Sequence, residues 1–172
     1  MNKFIAIVGM CGSGKSVVAD ELIRLGYQFF RFGQITLDII IEKGLEPNEQ
    51  NERIIRENVR KEYGMGAYAI LNLPKIDHFL QSGNVAGDGL YSWDEYKILK
   101  DKYGSQMYVL AVYTPPHIRY QRLAERKISA DDKNLRNRPM TPEQARARDF
   151  AEIENIAKAG PIVMADYTLI NT

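Results

Sequence analysis

Short apolar runs alternate with longer amphipathic stretches along the whole chain. The runs predict five strands, at Lys3–Val8, Tyr27–Phe32, a short stretch of NVAGDGLYS that ends in Gly-Asp-Gly, Met107–Tyr113 and the closing YTLIN. The stretches between them predict helices at Ser16–Leu25, Pro47–Tyr63, Ser92–Tyr103, Pro115–Lys127 and Thr141–Ala159. Strands that alternate with helices are typical of an α/β protein in which helices cover both faces of a parallel sheet.

Three segments are less clear from their pattern. The segment ITLDIIIEKG is rich in β-branched residues, which favours a strand, but Gly44 after Lys43 favours the end of a helix. Residues 65–79 could form a helix that Pro74 breaks or bends. Residues 128–140 are polar and have no period, so we expect a loop there.

Composition favours one soluble domain of 172 residues in the cytoplasm. Charged residues make up 26% of the chain and hydrophobic residues 45%, which is ordinary for a globular protein. A single cysteine, Cys11, excludes an internal disulfide and suits a reducing compartment. No apolar run approaches the roughly 20 residues that cross a bilayer, so we expect no membrane association.

Positive charge is concentrated in one part of the chain. Residues 119–148 hold nine Lys or Arg and four Asp or Glu, whereas the whole chain has a net charge of +1. This segment is therefore expected to bind an anion. The nearly neutral total argues against a nucleic acid as partner, because that would need a broad basic surface.

The segment GMCGSGKS, residues 9–16, satisfies the phosphate-binding pattern G-x-x-x-x-G-K-[ST] between a predicted strand and a predicted helix. Its glycines let the backbone curl so that N–H groups surround phosphate oxygens, and the following helix adds its positive end. Lys15 can reach the β- and γ-phosphates, and the Ser16 hydroxyl can ligate magnesium. The predicted nucleotide-binding residues are Gly9, Cys11, Gly12, Ser13, Gly14, Lys15, Ser16 and Val17. Cys11 is either a redox-sensitive thiol or a tolerated small side chain.

Further motifs carry a resemblance to a known class of proteins. They are RFGQ, GDGLYSWDE, VYTPPHIRYQRLAER, RARDFAEIE and ADYTLIN, and the GTPase motif N-K-x-D is absent. Together with the phosphate loop they resemble the nucleoside-monophosphate kinase superfamily, close to adenylate kinases and dephospho-CoA kinases, and most of all a group of adenylate-kinase-related P-loop nucleotide kinases. The resemblance implies a three-layer α/β/α fold with a five-stranded parallel sheet, ATP and Mg²⁺ as cofactors, a helical acceptor-binding region at about residues 34–80, and a lid at about residues 128–141.

The resemblance also implies roles for individual residues. Asp88 would hold magnesium through water, although Gly-Asp-Gly is also a common tight turn. Arg122 and Arg126, which with Arg119 share one face of the predicted helix, would contact the nucleotide near the lid; the alternative is a solvated basic face. Arg148 follows the lid and would stabilise the transferring phosphoryl group, with Lys15, Arg122 and Arg126 as the other catalytic residues. Further lid arginines are Arg136, Arg138 and Arg146.

The sequence departs from this pattern at the acceptor side. Gln34 and Leu37 stand where these kinases commonly carry an aspartate and an acceptor-binding arginine, and Tyr91 stands near the place of a second arginine. Candidate substitutes are Arg31, Arg56 and Arg60. The segment RFGQ has no carboxylate before Asp38, whereas a hydroxyl acceptor usually needs one to take its proton.

These observations predict an ATP-dependent phosphotransferase that acts on a small phosphorylated acceptor, best matched by a nucleoside monophosphate. The first alternative is transfer to a hydroxyl, as in dephospho-CoA kinases. The second is a regulatory P-loop ATPase without kinase activity, which the missing acceptor arginines would allow. We expect a monomer or a homodimer.

Overall fold

The computed structural model describes residues 1–127 and 139–172. Most of the predicted lid, with Arg136 and Arg138, therefore lies outside the described residues. No helix in the described ranges has the length and apolar character needed to cross a membrane.

Five parallel strands form one sheet, as predicted. Their bounds are β1 (Phe4–Val8), β2 (Gln28–Arg31), β3 (Val85–Asp88), β4 (Met107–Tyr113) and β5 (Tyr167–Ile170). Their order across the sheet is β2-β3-β1-β4-β5, so β1 is central, with β3 and β4 as neighbours. In this register Asp88 lies beside Ile7 on one side and beside Arg31 on the other. The carboxyl ends of all strands meet at one edge, where ligands bind in open α/β sheets.

Eight α-helices lie in the described residues. They are α1 (Lys15–Arg24), α2 (Gln34–Glu42), α3 (Glu49–Tyr63), α4 (Ala67–Ser82), α5 (Trp93–Tyr103), α6 (Pro116–Ala124), α7 (Pro142–Ile156) and α8 (Ala159–Val163). Alternation along β1 directs its side chains to both faces of the sheet. Phe4, Ala6 and Val8 join a large core with residues of α2 to α5, while Ile7 packs with Ala19 and Leu22 of α1. The fold is therefore the three-layer α/β/α arrangement that the sequence predicts.

Two of the three segments with unclear patterns are helical, and the third, residues 128–140, lies mostly outside the described residues. In α2, Ile40 is fully buried and Ile35 and Ile39 pack against the same core, a spacing that a helix satisfies and a strand does not. In α4, Pro74 lies inside one continuous helix. Pro74 supplies no N–H to the carbonyl four residues earlier, and packing of Tyr68 and Ile76 into the core offsets that loss.

Two predicted helix ends are wrong. The helix α6 ends at Ala124 rather than near Lys127, so Arg126 lies beyond it. The helix predicted from Thr141 to Ala159 ends at Ile156, because Ala157 adopts a left-handed conformation with φ of 49°, and a new helix starts at Ala159. Pro161 explains the break, since in a continued α7 its ring would clash with the carbonyl four residues earlier.

Candidate nucleotide-binding site

The phosphate loop connects β1 to α1 through residues 9–14 and needs its glycines. Gly9, Gly12 and Gly14 all have positive φ, of 147°, 80° and 94°. A Cβ on Gly9 would lie 2.5 Å from the Val112 carbonyl oxygen, closer than real Cβ contacts. The loop conformation is therefore available only to a glycine-rich sequence.

Hydrogen bonds hold the back of this loop in place. Thr114 Oγ1 donates to the Ser13 carbonyl at 3.1 Å, and Asn171 Nδ2 donates to the same oxygen at 2.9 Å. Arg119 donates to the Cys11 carbonyl at 3.1 Å. The residues that follow β4 and β5 thus position the loop.

Arg119 has a structural role. Its guanidinium group is buried and forms two hydrogen bonds to the Asp149 carboxylate, at 3.0 and 2.6 Å, which tie α6 to α7. Arg122 donates to the Asn171 carbonyl at 3.2 Å and is not among the residues that line the cavity described next, whereas Arg126 lines that cavity. The prediction that three arginines share one helix face is therefore wrong. Arg119 is buried in its ion pair with Asp149, and Arg126 lies beyond the end of α6.

A cavity of about 150 Å³ opens at the carboxyl ends of the strands. Its lining brings together many of the predicted site residues, namely Cys11, Gly12, Gly14, Lys15, Ser16, Asp88, Arg126 and Arg148. It also contains Arg31, Gly89, Tyr91, Met140 and Lys158. The predicted residues Gly9, Ser13, Val17 and Arg122 do not line it. Val17 is 68% exposed, and Ser13 is buried inside the loop.

The cavity is strongly cationic. Among the described residues that line it, five side chains are Lys or Arg, and Asp88 is the one carboxylate. Burial lowers the pKa of Lys15, and the nearby charge of Lys158 lowers it further, while Asp88 acts in the opposite direction. Lys15 Nζ donates to the Met10 carbonyl at 3.1 Å. A bound polyanion would relieve the repulsion between these cations, which is what a phosphate-binding site requires.

Ser16 and Asp88 fit a magnesium site. Asp88 Oδ1 is buried and has no hydrogen-bond partner among the described residues, an expensive arrangement unless a cation binds there. Ser16, which carries a hydroxyl, lines the same cavity. Carboxylate and hydroxyl oxygens are ligands that Mg²⁺ accepts, with phosphates and water completing the shell. No group of three or more His, Cys, Asp or Glu in the described ranges offers a dedicated metal cage.

Lys158 and Glu152 belong to the site but were not predicted from the sequence. Lys158 is 3% exposed and lines the cavity beside Arg148. Glu152 accepts hydrogen bonds from Lys158 Nζ at 2.6 Å and from Arg148 Nε at 3.0 Å. Burial alone would raise the pKa of Glu152, but these two cations outweigh it and hold the pKa at about 2. The turn at Ala157 brings Lys158 inward. In the nearby sequence, Pro161 alone indicated that the helix breaks there.

The aromatic residues near Gly89 divide into two roles. Trp93 and Tyr96 stack on each other with ring centroids 4.9 Å apart, and Tyr96 belongs to the core, so packing accounts for both. Tyr91 lines the cavity beneath Lys158, whose Nζ lies 5.0 Å from the ring centroid. Burial raises the pKa of Tyr91 to about 12, so the phenol stays neutral. His78 and His117 are exposed, and neither is among the residues that line the cavity.

The three candidate acceptor arginines lie in different surroundings. Arg31 lines the cavity. Arg56 pairs with Glu52 within α3, with the closest atoms 3.2 Å apart. The Arg60 guanidinium lies over the Tyr68 ring at 5.4 Å. Among these three, only Arg31 is a cavity residue.

The fold and the loop define a nucleotide-binding protein of the P-loop kinase-like class. A Thermus thermophilus crystal structure superposes with a TM-score of 0.63 at 18% identity, covering 99% of this chain and 89% of that one. Shikimate kinase from Bacteroides thetaiotaomicron superposes with a TM-score of 0.58 at 13% identity, covering 98% and 86%. At such identities these likenesses show the fold alone, and they confirm the fold that the motif resemblance implied.

Sequence relatives identify the family. The profile of the AAA domain family matches residues 5–144. A UPF0200 protein from Thermococcus onnurineus is 31% identical over 169 residues, which span 97% of this chain and 87% of that protein. The chain belongs to the AAA domain family and to the UPF0200 protein family.

Proposed function

We propose that this protein is an ATP-dependent phosphotransferase that moves the γ-phosphoryl group of ATP to a small phosphorylated acceptor, a nucleoside monophosphate. The observation that carries the proposal is the cavity in which the phosphate loop, the unpartnered Asp88 carboxylate oxygen and four further cations converge. A site built only to hold a nucleotide has less need of a complete set of metal ligands beside so many phosphate-binding cations.

Each group has a distinct task in this proposal. The backbone N–H groups of the loop and Lys15 bind the donor phosphates. Ser16 and Asp88 hold Mg²⁺, which neutralises phosphate charge when it is bound. Arg126 and Arg148 lie where guanidinium groups can stabilise the charge of the transferring phosphoryl group. Catalysis then consists of positioning and charge neutralisation, with no covalent intermediate on the protein.

A phosphate acceptor suits this cavity better than a hydroxyl acceptor. Among the described residues that line it, Asp88 is the one carboxylate, and the proposal assigns Asp88 to magnesium. Glu152 is nearby, but with a pKa of about 2 and two cationic partners it is a poor proton acceptor. Asp38 is exposed and accepts a hydrogen bond from Gln34 on α2, outside the lining. A phosphate acceptor is already ionised and needs no such base.

Two alternatives follow from the same site. Transfer to a hydroxyl, as in dephospho-CoA kinases, would require a base from elsewhere. A regulatory ATPase without an acceptor is favoured by Leu37 and Tyr91, which replace the usual acceptor arginines. We further propose a cytoplasmic protein, a monomer or homodimer, whose partner is its nucleotide acceptor and which binds neither nucleic acid nor membranes.

The test is ADP release from Mg²⁺ and ATP in the presence of each nucleoside and deoxynucleoside monophosphate, with dephospho-CoA as the hydroxyl acceptor. Lys15→Ala removes the phosphate-binding lysine, and Lys97→Ala, an exposed lysine paired with Asp94, is the matched control. We expect one monophosphate to stimulate ADP release by the wild type and by Lys97→Ala, but not by Lys15→Ala. Slow ADP release that no acceptor stimulates would instead favour the regulatory ATPase.

A further inference from the structure

Arg31 is a cavity residue with an unsatisfied cationic group. It ends β2, and the strand register places it beside Asp88 at the end of β3. Its Nη1 atom is buried and has no hydrogen-bond partner among the described residues. A buried guanidinium nitrogen without a partner is costly, so such a group marks a place where an anion binds.

The position of Arg31 in the sheet separates it from the phosphate loop. The loop follows β1, and β3 lies between β1 and β2. Neighbouring strands are about 4.8 Å apart, so the backbone of Arg31 lies roughly 10 Å from the strand that leads into the loop. The segment after β2 continues into α2, α3 and α4, whereas α6 and α7 follow β4, which lies on the opposite side of β1 in the sheet.

Three of the other cations that line the cavity have partners near the donor side. Lys158 and Arg148 share the Glu152 carboxylate, and Lys15 donates to the Met10 carbonyl. Arg31, by contrast, has a buried donor on the β2 side that no other described residue satisfies. Tyr91 packs closely on this side of the cavity. A Cβ added to Gly33, just after β2, would lie only 2.9 Å from the Tyr91 hydroxyl oxygen.

We propose that Arg31 binds the phosphate monoester of the acceptor. This inference rests on the proposed function and assigns to one β2 residue the task for which Leu37 and Tyr91 are unsuited. A guanidinium group can form two parallel hydrogen bonds to a phosphate, which fixes the orientation of the acceptor as well as its affinity.

The first experiment measures binding without turnover. The donor site is filled with Mg²⁺ and a non-hydrolysable ATP analogue, and AMP, CMP, GMP and UMP are then titrated by calorimetry, each beside its unphosphorylated nucleoside. We expect the wild type to bind one monophosphate, and Arg31→Gln to weaken that binding by about 10- to 100-fold, the effect of losing a charged hydrogen bond. Arg24→Gln, at an exposed arginine paired with Glu21 on α1, is the matched control and should bind as the wild type does. Nucleoside binding should be the same in all three proteins.

The outcomes separate this inference from the proposed function. Unchanged monophosphate binding by Arg31→Gln overturns the inference, and so does weakened binding of the ATP analogue alone, which would assign Arg31 to the donor. A wild type that binds none of the four monophosphates also overturns it. If a monophosphate binds through Arg31 but ADP release is not stimulated, the inference stands and the kinase function fails. Arg31→Lys, which keeps the charge, should bind the monophosphate more tightly than Arg31→Gln does. If misfolding caused the loss of affinity, the two variants would lose it equally.

Discussion

Glu152 and Lys158 form a buried ion pair at the wall of the cavity, with the carboxylate oxygen 2.6 Å from the lysine Nζ. Arg148 shares the same carboxylate from one turn earlier on α7. Because Lys158 is almost inaccessible to water, its charge depends on this partner for stabilisation. Glu152 therefore keeps two cations in the cavity in place before any phosphate arrives.

Removal of the Glu152 charge should destabilise the free protein. Glu152→Gln leaves Lys158 buried without a counter-charge, and we expect the free energy of unfolding to fall by about 3–5 kcal/mol. Urea unfolding at neutral pH measures this change. Glu57→Gln, which breaks an exposed pair with Arg53 on α3, is the control and should cost less than about 1 kcal/mol. Equal losses in the two variants would show that Lys158 does not depend on Glu152.

Asp88 should determine how ATP binding depends on magnesium. Asp88→Asn keeps the size of the side chain and removes its charge, so the affinity for ATP in the presence of Mg²⁺ should fall by about 10- to 100-fold. Affinity for ATP in EDTA should stay the same or rise, because the carboxylate also repels phosphate. Calorimetric titration under both conditions checks this, with Asp94→Asn at an exposed pair as control. An equal loss with and without Mg²⁺ would mean that Asp88 supports the fold rather than the metal.

Local sequence was sufficient to predict the part of the site that one continuous segment builds. β1, the loop and α1 follow each other without interruption, and the glycine spacing dictates the backbone conformation. It was also predictable that the ends of β2 and β3 lie near the loop, since the carboxyl ends of parallel strands meet at one edge of the sheet. This is why Lys15, Ser16 and Asp88 were found from the sequence and do line one cavity.

The parts that packing determines were not predictable. Arg119 resembles Arg122 and Arg126 in the sequence, and only the buried position of Asp149 on α7 makes it structural. Lys158 looks like a surface lysine near a helix end until the left-handed Ala157 turns it inward. Likewise, β-branched content made α2 ambiguous, because burial against the core rather than intrinsic preference decides its conformation.

The buried Arg119–Asp149 pair should matter for the phosphate loop as well as for stability. Asp149→Asn keeps the shape but leaves the guanidinium group without its counter-charge, so the free energy of unfolding should fall by about 3–5 kcal/mol. Arg119 also donates to the Cys11 carbonyl, so we expect weaker ATP binding in the same variant. Urea unfolding and ATP titration together check both effects. A variant that loses stability but binds ATP as the wild type does would separate the ion pair from the loop.

Glu95 should make the stability of the protein fall as pH rises from about 4.5 to about 7. It is completely buried at the start of α5, where one carboxylate oxygen accepts hydrogen bonds from the backbone N–H groups of Tyr91 and Ser92, at 2.9 and 3.1 Å. Its other carboxylate oxygen is buried and has no hydrogen-bond partner in the described part of the chain. Burial raises the pKa of Glu95 from 4.5 to about 7, against the opposing effects of those two N–H groups and of the charges on Arg60 and Lys158.

The sign of the effect follows from proton binding. Between pH 4.5 and 7 the folded protein holds a proton on Glu95 that the unfolded chain has released, so this contribution to stability is complete below pH 4.5 and is lost as pH rises through 7. The shift corresponds to roughly 3 kcal/mol at most. Glu95→Gln cannot ionise yet can still accept both backbone hydrogen bonds. The free energy of unfolding of Glu95→Gln minus that of the wild type should therefore increase from pH 4.5 to pH 8. The contributions of all other titrating groups, which the two proteins share, cancel in this difference. Urea unfolding at half-unit pH steps measures it, and a difference that stays constant across this range would show that Glu95 is ionised in the folded protein throughout.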